Sequence, residues 1–410
     1  MATTLGETAG VREEHAAALL RPGPKRSRHF DLFDAMRAIA VFAVIVIHVG
    51  ASSGANMNAW YGVATSQGRL GVRIFFLISA FLLYRPYVVA HLFEERGPRT
   101  LSYARRRVLR ILPAYWVALT LLAIWPGLVG VFTGDWWLYY SVMQAFDIRT
   151  LEGGLVVAWS LTIEVSFYAA LPLLALFLGR LGRDVDPRTR MQRQLVALVV
   201  LGILAEIFRV YVFSIGRRGL NFSLVSMFLP FAVGMALAVV SAWLGTDERR
   251  FRWTRLVVDR PGAVWFAAIA VFTASCFSPF FFRTFYEAHT AWTWAFEQIV
   301  YVLVSALLLL PAVFGEHAGG WPRWFLGTRF MGFAGTISYG VFLWHQPLMR
   351  PLKQAGFGDW IPDSRFASLL IPALALSLLL GWLSYRLVEV PAMRLRDQPP
   401  KRFDPEPPPN

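Results

Sequence analysis

Ten apolar stretches recur along this chain, each long enough to cross about 30 Å of hydrocarbon as a helix. They run roughly over 32–50, 71–90, 109–130, 159–178, 194–213, 224–244, 262–279, 296–314, 330–349 and 368–388. Apolar residues make up 56% of the 410 and charged residues only 16%, where soluble domains carry about 25% charged residues. The expected fold class is all-α: a polytopic membrane helical bundle of about ten transmembrane helices over residues 31–396. Residues 1–30 and 397–410 are charged and proline-rich, and are expected to be disordered tails, with no cleavable signal peptide ahead of the first span.

Most of the 40 lysines and arginines fall in the two tails and in the segments RGPRTLSYARRR, GRLGRDVDPRTRMQR, DERRFRWTRLVVDR and HAGGWPRWFLGTR. That bias places both termini in the cytoplasm. The net charge of +14 is then largely topological, with some attraction to anionic lipid headgroups of the bilayer. It argues against a nucleic-acid partner, because the arginines are spread over separate loops with no soluble module to present them. The single cysteine, Cys276, excludes an intrachain disulfide and a cysteine-based metal site, and no metal site is expected. The two halves show no repeat of the kind that builds inverted-repeat transporters.

The first span carries ionisable residues where hydrocarbon makes them costly. Arg37 and His48 are eleven positions apart, which is roughly 16 Å and close to three turns along one helix face. A face that keeps two such groups lines a polar cavity or a substrate path. Histidine can take a proton from a hydroxyl and return it within one cycle. Arg37 would bind a carboxylate, phosphate or carbonyl oxygen, and Asp34 shares its end of the helix.

Further candidates follow along the chain. Ser79 sits mid-span beside Ala80, where small residues also serve close helix packing. Arg69 and Arg73 flank the outer end of that span and read as snorkelling anchors. Arg105, Arg106, Arg107 and Arg110 read either as positive-inside anchors or as a cradle for the phosphates of a cytoplasmic donor. Glu164, preceded by Trp159 and Ser160, is a carboxylate inside a span that needs a cationic partner such as Arg37 or His48. Ser338, Tyr339 and His345 recur at helical spacing, with His345 near the outer end. Glu389 is paired most simply with Arg386, three positions before it. The aromatic loops TGDWWLYYSVMQAFDIRTLEGG and FFFRTFYEAHTAWTW read as the interfacial belt or, in part, as a platform for a sugar.

In this order the motifs resemble the acyltransferase-3 family of integral membrane acyltransferases. FDAMRA followed by His48 resembles the family's opening LDGLRA and histidine, and FFLISAF its FFxxSGF. RRRVLRILPAYW, WSLTIEVSFY, SYGVFLWHQP and YRLVEVP match the remaining motifs in sequence. Two motif glycines are alanines here, Ala35 and Ala80, which is expected to change close helix or ligand approach, and the position after GV, often acidic in the family, is Arg73, a departure expected to alter acceptor choice or donor entry. The resemblance implies about ten helices in a bacterial cytoplasmic membrane and transfer of an acyl group, most often acetyl. The donor would be a cytoplasmic acyl-CoA and the acceptor a hydroxyl of a carbohydrate, glycolipid or glycosylated metabolite, with no permanently bound cofactor.

By the same analogy His48 is the catalytic base or transient acyl carrier. Arg37 stabilises developing charge, and Glu164 or Asp34 orients the histidine. Arg105, Arg106, Arg107 and Arg110 handle the donor, while Ser79, Trp159, Ser160, Tyr339 and His345 contact substrate. The chain reads as the type without an appended extracytoplasmic hydrolase-like domain. The rival reading is a proton-coupled transporter with His48, Arg37 and Glu164 as its relay.

Overall fold

The structure, a computed structural model, describes residues 22–23, 30–57, 62–182, 185–278, 290–315 and 319–396. Apart from residues 22, 23 and 30, both expected tails lie outside the described residues, as does most of the second aromatic loop.

Every one of the ten apolar stretches contains helix, and no strand forms among the described residues. The principal helices are α1 (Leu32–Ser53), α2 (Leu70–Leu92), α3 (Thr100–Leu122), α4 (Ala158–Arg180), α5 (Pro187–Ser214) and α6 (Phe228–Leu244). They continue with α7 (Arg252–Asp259), α8 (Pro261–Cys276), α9 (Ala291–Val313), α10 (Arg329–Thr336), α11 (Ser338–Trp344) and α12 (Arg365–Ser384). A π turn over Tyr385–Glu389 carries α12 on into Val390–Arg396.

Seven helical runs are long and apolar enough to cross a membrane, and eight if the bent α7–α8 pair counts as one span. The expected ten depart from this in three places, each with a local cause. Helix α6 has 17 residues, about 25 Å at ~1.5 Å per residue, short of the hydrocarbon thickness. The α7–α8 pair turns by 94° at Arg260, where Pro261 opens α8 without a backbone donor. The ninth stretch is split at Ile337 (φ −87°, ψ 0°) into α10 and α11, of 8 and 7 residues.

The outer face of the bundle is what lipid requires. Val196, Val199, Val200, Ile203, Leu204 and Ile207 of α5 are all exposed, an apolar band that water would penalise. Inside, helices meet through small residues. Helix α2 packs on α6, where a Cβ on Gly234 would fall 2.4 Å from the Leu77 carbonyl oxygen and 2.9 Å from Ala80 Cβ. The glycine that allows this approach is thus on α6, and Ala80 is accommodated, fully buried, on α2.

Helix α1 is closer still to α10: a Cβ on Gly335 would fall 1.9 Å from the Asp34 carbonyl oxygen. From that point α1 and the α10–α11 run proceed in parallel, so that His345 arrives beside His48.

This packing predicts a matched pair of variants. Gly335→Ala should lower the melting temperature of the purified protein, at a cost of about 1–3 kcal/mol for forcing a methyl against backbone. Gly332→Ala, on the same helix with nothing within 4 Å of the new atom, should leave it unchanged or gain roughly 0.4–1 kcal/mol.

Candidate active site

Two cavities meet inside the bundle, sharing Val72, Ser160 and Phe342 as their common wall. One, of about 240 Å³, is lined by Arg37, Ser79, Arg107, Arg110, Glu164, Tyr168 and Tyr339 among others. The other, of about 250 Å³, is lined by His48, Arg69, Arg73, Trp159, Phe222, Met227 and Trp294 among others. Helix α1 serves both, through Arg37 at one end and His48 at the other.

In the first cavity, Ser79 and Tyr168 both donate to Glu164 Oε1. Glu164 is therefore satisfied by two hydroxyls, one from α2 and one a turn along its own helix, and no described cation forms an ion pair with it. Arg37 is paired with Asp34 on the same helix. Tyr339 donates to the Ile111 carbonyl at 2.9 Å and so ties α11 to α3 along the cavity wall.

The four-arginine cradle expected on α3 divides. Arg107 and Arg110, three apart on one helix face, line the cavity. Arg105 instead reaches the Leu395 carbonyl at 2.7 Å, and Arg106 is exposed. Glu389, turned inward by the π segment, is buried, while Arg386 is exposed and makes no ion pair with it. The cation within electrostatic reach of Glu389 is Arg110.

In the second cavity, the tautomers are assigned from backbone carbonyls, because a carbonyl oxygen only accepts. His345 Nδ1 lies 2.8 Å from the Phe342 carbonyl and so donates to it, which leaves Nε2 as an acceptor. His48 Nδ1 lies 2.8 Å from the Val44 carbonyl and 3.1 Å from His345 Nε2, so it donates toward both. The remaining ring atom of His48, Nε2, holds a lone pair, and no described residue hydrogen-bonds to it. His48 lines the cavity, and His345, fully buried, stands behind it rather than on the wall.

Neither Glu164 nor Asp34 orients His48. Glu164 belongs to the other cavity, and Asp34 is fourteen residues away, roughly 21 Å along α1. The partner of the histidine is a second histidine.

Trp159 stacks edge-on against Phe222 with ring centroids 5.3 Å apart, and Ser160 Oγ donates to the Val157 carbonyl at 3.1 Å. Arg69 and Arg73 are not interfacial anchors. Arg69 pairs with Glu297 at 3.1 Å, and Arg73 is buried with its Nε 2.9 Å from Gln298 Oε1. Behind them Arg209 is buried 4.0 Å from Glu206 and 4.5 Å from the Trp294 ring centre.

Chain-wide similarity assigns this architecture. The family model for an acyltransferase domain matches residues 30–386. The chain belongs to that family. Among curated relatives, the peptidoglycan O-acetyltransferase OatA of Listeria monocytogenes is 23% identical over 89% of this chain and 56% of its own length. The O-acetyltransferase OatA of Staphylococcus aureus is 25% identical over 89% and 57%, and the putative peptidoglycan O-acetyltransferase YrhL of Bacillus subtilis 22% over 89% and 55%. The chain thus spans a little over half the length of these relatives. No solved structure matches it.

Within this acyltransferase domain, sequence reasoning passed over Tyr168, Glu206, Arg209, Glu297 and Gln298. The signal was present: AEIFR in the fifth stretch and FEQ in the eighth put charges into otherwise apolar runs, the same anomaly that picked out Arg37 and Glu164.

The Ser79–Glu164 bond joins α2 to α4, so its two ends should couple. Ser79→Ala and Glu164→Gln, singly and together, should give a coupling of about 0.5–2 kcal/mol in a double-mutant cycle of unfolding in detergent. Strictly additive losses would remove the bond from the account.

Proposed function

We propose that the chain is a multi-pass O-acyltransferase of a bacterial cytoplasmic membrane, moving an acetyl group from cytoplasmic acetyl-CoA to a hydroxyl of an envelope carbohydrate. Peptidoglycan, the substrate in the relatives' names, is the first acceptor to test. The observation that carries the reading is the placement of His48: its Nδ1 lies against a carbonyl and a second histidine, an arrangement that assigns the proton to Nδ1 and leaves the Nε2 lone pair for the cavity. That is the form of a general base.

Arg107 and Arg110 sit on the side that the charge bias assigns to the cytoplasm, and with Arg37 they supply guanidinium groups for the phosphates of the donor. The pantetheine arm would run along the cavity past Val72, Ser160 and Phe342, bringing the thioester toward His48 from the first cavity. The acceptor would enter the second. His48 Nε2 takes the hydroxyl proton as the oxygen attacks the thioester carbonyl. The C–S bond then breaks, and the same proton returns to the leaving thiolate. His345 acts through His48, fixing its tautomer and ring orientation. Arg37, roughly 16 Å from His48 along α1, belongs to donor binding rather than to the reacting carbonyl. A His48–Glu164–Arg37 proton relay finds no support in the hydrogen bonds, since the histidine and the glutamate face different cavities and share no partner.

The test is transfer of label from acetyl-CoA to glycan in membranes containing wild type or variant at matched protein levels. His48→Ala should lose about 10²–10⁴-fold in rate. His345→Ala should lower kcat with little change in the KM for donor, and His345→Gln, whose amide oxygen can accept from His48, should recover part of it. Full activity in His48→Ala would overturn the reading. Acid-quenched protein that retains label at position 48 would instead show a histidine acyl carrier.

Donor binding gives a second expectation. Arg107→Ala and Arg110→Ala should each raise the KM for acetyl-CoA about tenfold or more, as befits loss of a hydrogen-bonded charge. Arg106→Ala, whose side chain is not on the cavity wall, should not.

A further inference from the structure

Arg73 is 3% exposed and lines the same cavity as His48. Its Nε donates to Gln298 Oε1 at 2.9 Å, its Nη1 approaches the Arg69 carbonyl oxygen at 3.4 Å, and its guanidinium carbon lies 5.2 Å from the centre of the Tyr301 ring. All three partners are uncharged, and among the described residues none hydrogen-bonds to its Nη2. Its neighbours are matched differently: Arg69 pairs with Glu297, and Arg209 faces Glu206 at 4.0 Å. Among the described residues, then, the cavity wall holds one guanidinium with no carboxylate within ion-pair distance.

A buried charge of this kind is expensive unless something of opposite sign meets it. The protein orients it through neutral contacts and offsets its charge only at longer range, through Glu297 and Glu206, which Arg69 and Arg209 hold more closely. A glutamate at 298 would have closed the pair, but the residue there is glutamine, which fixes the geometry of the fork and leaves its charge available. The rest of the wall is largely apolar, with Val44, Ile47 and Val157 beside the rings of Trp159, Phe222 and Trp294, a surface against which the C–H side of a pyranose can rest. At about 250 Å³ the space suits a single sugar ring.

We infer that the His48 cavity selects an acidic acceptor, a sugar bearing a carboxylate or a phosphate, and that Arg73 binds its anionic group while His48 faces one of its hydroxyls. This rests on the reading of that cavity as the acceptor side of an acyltransferase. It adds the charge of the substrate and the residue that reads it.

The test separates recognition from catalysis. Wild-type protein purified in detergent is titrated without donor, at low and constant ionic strength, with methyl β-glucoside, glucuronic acid or glucose 1-phosphate. Binding is followed by equilibrium dialysis of the labelled sugars. Either acid, or both, should bind about tenfold or more tightly than the neutral glucoside, as a charge-assisted contact requires, and the two acids tell carboxylate from phosphate. The preference should collapse to within about twofold in Arg73→Gln and be kept in part by Arg73→Lys, which also controls for folding.

Equal affinities in the wild type, absence of binding by the acids included, overturn the inference. So does a preference that survives Arg73→Gln. Transfer of label from acetyl-CoA in the same preparation tests the acyltransferase reading separately: a charge preference without transfer would sink that reading and leave Arg73 as the anion site of the cavity.

Discussion

Helix α1 lies so close to α10 that position 335 has no room for a side chain, and much of the site follows from that approach. The contact is backbone on backbone, Gly335 against the carbonyl of Asp34, so it fixes helix position more tightly than side-chain packing would. It sets the start of a parallel run. Further along, α11 delivers His345 to the back of His48, and Tyr339 reaches across to the Ile111 carbonyl of α3. The break at Ile337 belongs to the same arrangement, since it lets α11 leave the line of α10 and pack on α12. One glycine therefore governs the histidine pair, one wall of the first cavity and the end of α1 that carries Arg37.

Hydrocarbon imposes the second constraint, that each charge inside must be met. The bundle meets its charges by different means in its two cavities. Glu164 is held by hydroxyls and Arg37 by Asp34, so the first cavity offers Arg107 and Arg110 on α3 as its remaining cations. The second cavity pairs Arg69 with Glu297 and sets Arg209 near Glu206, and leaves Arg73 with neutral partners. Both cavities thus present positive charge to a ligand, although their linings otherwise differ. Hydroxyls and a carboxylate mark the first, aromatic rings and a histidine the second.

Much of this was legible in the sequence, and the parts that were not share a cause. Composition and run length gave an all-α membrane bundle, and every one of the ten stretches contains helix. The three that fall short of clean spans do so through a short α6, Pro261 and the Ile337 break. The spacing of Arg37 and His48 gave the cavity-lining face of α1. What periodicity cannot give is the neighbour. Arg73 reads as an interfacial anchor because no acid lies near it in sequence, while its partner Gln298 is 225 positions away. Arg105 and Arg106 look equivalent to Arg107 and Arg110 as a run, yet only Arg107 and Arg110 line the cavity, while Arg105 is drawn to the Leu395 carbonyl, a contact 290 positions away in sequence. Glu389 was given Arg386 as its partner on α-helical spacing, and a π turn there sends the two to different sides.

On the proposed reading, the histidine pair lets a base work in this setting without a carboxylate behind it. In water-facing hydrolases an aspartate fixes the tautomer of the catalytic histidine and balances the cation that forms. Inside a bilayer that device would place a permanent negative charge next to a neutral ring, at a desolvation cost that must be offset even when no substrate is bound. In the proposed mechanism His345 performs the geometric half of the task with no charge. Its Nδ1 proton is committed to the Phe342 carbonyl, so its Nε2 can only accept, and the His48 proton is directed to Nδ1 and kept off Nε2. The electrostatic half is left to the groups that arrive with substrate, where an anionic acceptor on Arg73 would bring compensating charge into the cavity only while the reaction is under way.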